Sequence, residues 1–191
     1  PNVYHTKEEM IDCVNTFYDG MVARSEEMKQ HPNYKTGENY AYLGLPPCFL
    51  IFDEYVAFFE MLATKESMSL LSQLKKIVML GRQAGYFLIV ACQRPDAKYF
   101  SDGIRDNFNF RVGLGRISEL GYGMLFGSDV KKQFFQKRIK GRGYCDVGTS
   151  VISEFYTPLV PKGHDFLHTI GRLAEQRQAV PEQQEKENER L

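Results

Sequence analysis

Two uncharged, largely apolar runs, CFLIF at residues 48–52 and YFLIVAC at residues 86–92, each end in polar side chains: Asp53 and Glu54 after the first, Gln93 and Arg94 after the second. Continuous apolar runs of this length, without the alternation of a half-exposed strand, are the pattern of strands covered on both faces of a parallel sheet. The segment between them carries Leu70, Leu71, Leu74, Ile77, Val78 and Leu80 at helical spacing, which predicts a helix over 66–83 that Gly85 stops. Strand, helix, strand in that order requires a crossover connection, so the chain reads as α/β with a largely parallel sheet flanked by helices.

Upstream, Thr6 and Glu9 stand in capping-box spacing ahead of Met10, Ile11, Val14, Phe17, Tyr18, Met21, Val22 and Met28, which predicts a long amphipathic helix. The turn-rich segment HPNYKTGENYAYLGLPP then delivers the chain to the first strand. FNFRVGLG, GYCDV and SVISEFYT complete the strand candidates. Residues 1–173 read as one core and 174–191 as a polar Gln/Glu-rich tail, because 43% hydrophobic residues suffice for a single sizeable core. Lys+Arg and Asp+Glu balance at 24 each, so no global field draws the chain to nucleic acid or a membrane surface. Cys13, Cys48, Cys92 and Cys145 form no C-x-x-C pair and read as reduced core residues of the cytosol. The His164 and His168 pair lacks a third ligand cluster, so no zinc site is expected.

An apolar strand ending in Asp-Glu is the Walker B pattern, in which the Asp holds Mg²⁺ through its waters and the Glu orients and deprotonates an attacking water. Two acids at a strand end also serve simply to begin the next helix, here Tyr55 to Leu62. Gln93, emerging at the carboxyl end of the second strand, stands where ligands bind in open α/β sheets and could sense a γ-phosphate or the water.

IFDEY, LGRQAGYFLIVACQRP and DAKYFSDGIRDNFNFRVGLGRIS together resemble the FtsK/SpoIIIE family of hexameric DNA-pumping ATPases, in particular relatives on conjugative elements of Gram-positive bacteria. The matching positions are Asp53 and Glu54, Ala84 and Gly85, Ala91 to Pro95, and Ile104, Asn107 and Arg111, with a weaker match at KGRGYCDVG. The resemblance implies a RecA-like P-loop NTPase core that uses ATP and Mg²⁺ to move double-stranded DNA in conjugative transfer or chromosome segregation. It implies a hexamer, and a cytoplasmic domain whose membrane anchor lies outside this chain. It assigns Asp53 to Mg²⁺, Glu54 to water activation and Gln93 to sensing. Met21-Val22-Ala23-Arg24 is similar to a Met-x-x-Arg element and makes Arg24 the expected trans-acting arginine, with Arg94, Arg105 and Arg111 as competitors.

The chain departs from the family in three places. Cys92 replaces a threonine, the family's Ser-Arg falls at about Tyr122 and Gly123, and no G-x-x-x-x-G-K-[ST] occurs in the 191 residues. The expectation is therefore a motor domain truncated on its N-terminal side and inactive alone; the alternative is a non-hydrolysing pseudo-ATPase or a DNA- or partner-binding assembly module. Lys98 and Arg105, with Lys131 and Lys132 in the basic run KKQFFQKRIKGR, are the candidate DNA-phosphate contacts.

Overall fold

A computed structural model describes residues 2–95, 98–100, 102–130, 139–149 and 151–178. The chain forms two compact units, Pro1–Tyr156 and Thr157–Leu191.

The first unit opens with helix α1, Lys7–Gln30, capped as the sequence predicts: the Thr6 hydroxyl accepts from the Glu9 amide while the Glu9 carboxylate accepts from the Thr6 amide. Val14, Met21 and Met28 recur every seven residues and form the buried stripe of α1. That stripe packs on α3, Thr64–Ala84, whose Leu70, Leu74, Ile77 and Ala84 are buried in the same core. Gly85 ends α3 at φ 77°, and carbons of the Tyr40 ring stand 2.6 Å from where a Cβ would lie, so both conformation and space require glycine there.

Strands β1, Cys48–Phe52, and β2, Tyr86–Val90, pair in parallel from Cys48 opposite Tyr86 to Phe52 opposite Val90. A short helix, α2 at Tyr55–Glu60, follows β1. The inner face of the sheet, with Leu50, Phe52, Leu88 and Val90, joins the α1–α3 core. The sequence suggested cover on both faces, and the second face departs from this: Phe49, Ile51 and Ile89 are exposed. The apolar runs are continuous, as expected, but among the described residues only one side is packed.

The later strands do not extend this sheet. β3, Arg111–Leu114, β4, Arg142–Asp146, and β5, Ser153–Tyr156, form a separate antiparallel sheet in sequence order. Before β3 comes a single turn, α4 at Asp102–Arg105, and after it α5 at Glu119–Phe126, whose Tyr122 and Phe126 bury against Tyr144 in a second small core. The parallel character of the fold thus resides in β1 and β2, where the candidate site lies.

In the second unit, helix α6, Phe166–Gln178, begins with the Asp165 carboxylate accepting from the His168 amide and runs through the expected boundary at 173/174. Residues 179–191 of the expected tail lie outside the described residues. No described helix is long and apolar enough to cross a membrane.

Candidate functional site

Because β1 and β2 are parallel and in register, their carboxyl ends lie side by side, and the residues that leave them converge. The Ala91 amide donates to Phe52 O at 2.8 Å, and the Tyr55 amide donates to Ala91 O at 3.0 Å, so the two chains remain joined one step past the sheet. In the turn between β1 and α2 the Glu54 amide donates to the Asp53 carboxylate at 3.1 Å. Glu54 lies at φ 50°, ψ 45°, the one non-glycine residue with positive φ among the described residues. A glutamate in the left-handed region is held there by its surroundings, at a cost of roughly 1–3 kcal/mol. From the second strand end, the Gln93 side-chain amide donates to the Glu54 carboxylate at 3.5 Å.

Asp53, Glu54 and Gln93 are all solvent-exposed, and neither carboxylate forms an ion pair with a described cation. Unpaired, water-accessible oxygen donors suit a hydrated Mg²⁺, which prefers carboxylates and retains several waters. Cys92, next to Gln93 in the chain, is half-buried against the core. Burial, reinforced by the charge of Glu54, pushes its thiol above the ordinary range and keeps it neutral. A neutral thiol is a much weaker hydrogen-bond donor than the hydroxyl of a threonine.

The other expected site residues lie elsewhere. Arg24 reaches the opposite, amino-terminal ends of the two strands, donating to Pro46 O at 2.8 Å and to Ala84 O at 3.4 Å. Its guanidinium also stands 4.8 Å from the Tyr86 ring centroid. These bonds engage Arg24 within its own chain, whereas the role expected from the sequence concerns a neighbouring subunit. Its competitor Arg111 is likewise engaged, 2.7 Å from the Asp146 carboxylate and donating to Leu125 O at 3.2 Å. Arg105 lies 3.6 Å from Asp106.

Lys98 is beside α2, 3.7 Å from Glu60 and bonded to the Tyr99 hydroxyl. Lys131, Lys132, Lys137 and Arg138 fall outside the described residues. Sequence reasoning missed Tyr55 and Tyr99. Tyr55 follows Glu54, is 1% exposed, and donates from its hydroxyl to Tyr99 O at 3.3 Å. Its position beside the acids was visible, but a hydroxyl partner 44 residues away was not.

A parallel βαβ unit makes this an α/β domain, and its fold is that of solved P-loop ATPases. Solved ATPases share that fold. The cytoplasmic domain of the Thermomonospora curvata type VII secretion ATPase EccC aligns at TM-score 0.60 and 20% identity, over 85% of this chain and 19% of that one. ATPases 2 and 3 of EssC from Geobacillus thermodenitrificans align at TM-score 0.59 and 17% identity, over 92% of this chain and 32% of that one. The pCW3 conjugation coupling protein TcpA, a monomer with ATPγS, aligns at TM-score 0.57 and 15% identity, over 76% of this chain and 44% of that one.

The chain belongs with the FtsK domain-containing proteins: over 168 residues it is 58% identical to the FtsK domain-containing protein YdcQ of Bacillus subtilis (strain 168). That match takes in 88% of this chain and 35% of the relative, so the chain spans about a third of that relative's length. No protein-family model matches it.

Proposed function

We propose that this chain supplies the water-activating and nucleotide-sensing half of the site of an ATP-driven motor that translocates double-stranded DNA in conjugative transfer or chromosome segregation. The observation that carries the reading is the convergence of Gln93 on Glu54 at the ends of two parallel strands, 3.5 Å apart. Asp53 would hold Mg²⁺, which would supply positive charge to a phosphoryl group in transfer. Glu54 accepts the proton of the attacking water. Gln93, bonded weakly to that carboxylate, is placed to exchange Glu54 for the water or a phosphate oxygen.

The 191 residues hold no phosphate-cradling G-x-x-x-x-G-K-[ST], so turnover is a property of the polypeptide that the whole gene encodes. Membrane anchoring and assembly into a hexamer are likewise assigned to that whole polypeptide. Lys98 and Arg105 are proposed to reach DNA phosphates, giving salt-dependent affinity without sequence readout. The rival reading is a non-hydrolysing assembly module that binds DNA or a partner. Mg²⁺-dependent ATP turnover by the whole gene product, with and without duplex DNA, separates the two. DNA-stimulated hydrolysis supports the motor, and its absence supports the module.

A further inference from the structure

We propose that Tyr55 is a positioning residue: its amide and its buried hydroxyl hold two points of the chain, Ala91 and Tyr99, against the turn that presents Glu54, and so set how closely Gln93 approaches that carboxylate. The functional arm of this inference rests on the reading of Glu54 and Gln93 as nucleotide-site residues, whereas its structural arm rests on geometry alone.

The Tyr55 ring lies in an aromatic cluster, with centroids 4.7 Å from Phe100, 4.8 Å from Phe59 and 5.5 Å from Phe52. A phenylalanine would fill the same space. A hydroxyl buried among rings is unfavourable unless it finds a partner, so its presence is explained by what it bonds. That partner is the Tyr99 carbonyl, and burial raises the phenol pKa, keeping the group protonated as a donor. Tyr99 is held in turn, since its own hydroxyl donates to Glu60 at the end of α2.

The second anchor is the Tyr55 amide on Ala91 O at 3.0 Å. Gln93 therefore departs two residues beyond one anchor and before the other, while Glu54 immediately precedes the residue that provides both. This explains how Glu54 is kept in the left-handed region: the residue after it is fixed on its amide side and its ring side together.

The test is Tyr55→Phe, which keeps the ring and removes the hydroxyl. In the 191-residue chain the readouts are the nuclear Overhauser contact between the Gln93 side-chain amide and the Glu54 side chain, and the carbon shifts that report the Glu54 backbone. The contact should weaken or vanish while the core resonances stay in place. A folded variant with that contact unchanged overturns the proposal.

Should Tyr55→Phe fail to fold, hydrogen exchange in the unaltered chain decides. A Tyr55 amide that exchanges only with global unfolding supports the anchor, and rapid local exchange of that amide overturns it. In the whole gene product Tyr55→Phe should lower kcat roughly ten- to a hundredfold and leave KM for ATP within about twofold. A parallel change in both constants overturns the functional arm. If the unaltered gene product hydrolyses no ATP, the motor reading fails, and the resonance and exchange measurements still decide the role of Tyr55.

Discussion

The side-chain amide of Gln93 donates to the Glu54 carboxylate across 3.5 Å, joining the ends of two parallel strands whose own ladder stops at Phe52 and Val90. At that length the bond is weak. A weak bond is compatible with the sensing role proposed for Gln93, in which the amide would exchange the carboxylate for a water or a phosphate oxygen.

Glu54 holds a conformation that glycine would adopt freely, at φ 50° and ψ 45°. Glu54→Gly should therefore be more stable than Glu54→Ala, by about 1 kcal/mol, since a side chain in the left-handed region carries a penalty of that order. Urea denaturation of the two variants measures the difference. Equal stabilities would mean that the turn relaxes and stores no strain.

Cys92 reports the charge of Glu54. Its thiol pKa is raised first by burial and then by that carboxylate, so neutralising the carboxylate should lower it again. In a chain whose other cysteines are replaced by alanine, Glu54→Gln should move the half-point of iodoacetamide labelling at Cys92 to lower pH. An unmoved half-point would place the two groups out of electrostatic reach.

Arg24 ties together the amino-terminal ends of the strands through Pro46 O and Ala84 O. Arg24→Ala should cost about 1–2 kcal/mol of stability in this chain, and Arg24→Lys should recover little of it, because a lysine cannot reproduce the fork. Chemical denaturation measures both. Unchanged stability in Arg24→Ala, combined with a more than proportional loss of turnover when variant and unaltered whole gene products are mixed, would support the trans-acting role expected from the sequence.

What the sequence revealed was local or periodic. The α1 capping box, the spacing of Leu70, Leu74 and Ile77, and the polar strand ends at Asp53, Glu54 and Gln93 could all be read because each depends on near neighbours. Helix α5 was missed because Gly121 and Gly123 depress its propensity, although Ser118 caps it by accepting from the Gly121 amide at 3.1 Å. The antiparallel pairing of β3 to β5 was hidden, since short strands do not state their partners. The bonds of Arg24 to Pro46 O and Ala84 O were not legible, because periodicity places a residue on a helix face and says nothing of the carbonyls across from it. The partly buried pair of Arg111 with Asp146 spans 35 residues and has no local signal.

The most direct test of the account is ATP turnover by the whole gene product carrying Glu54→Gln. Loss of the general base should lower kcat by roughly a hundredfold or more, with binding of MgATP retained. Turnover within a few-fold of the unaltered protein would contradict the assignment of Glu54 as the water-activating residue, and with it the central reading of these strand ends.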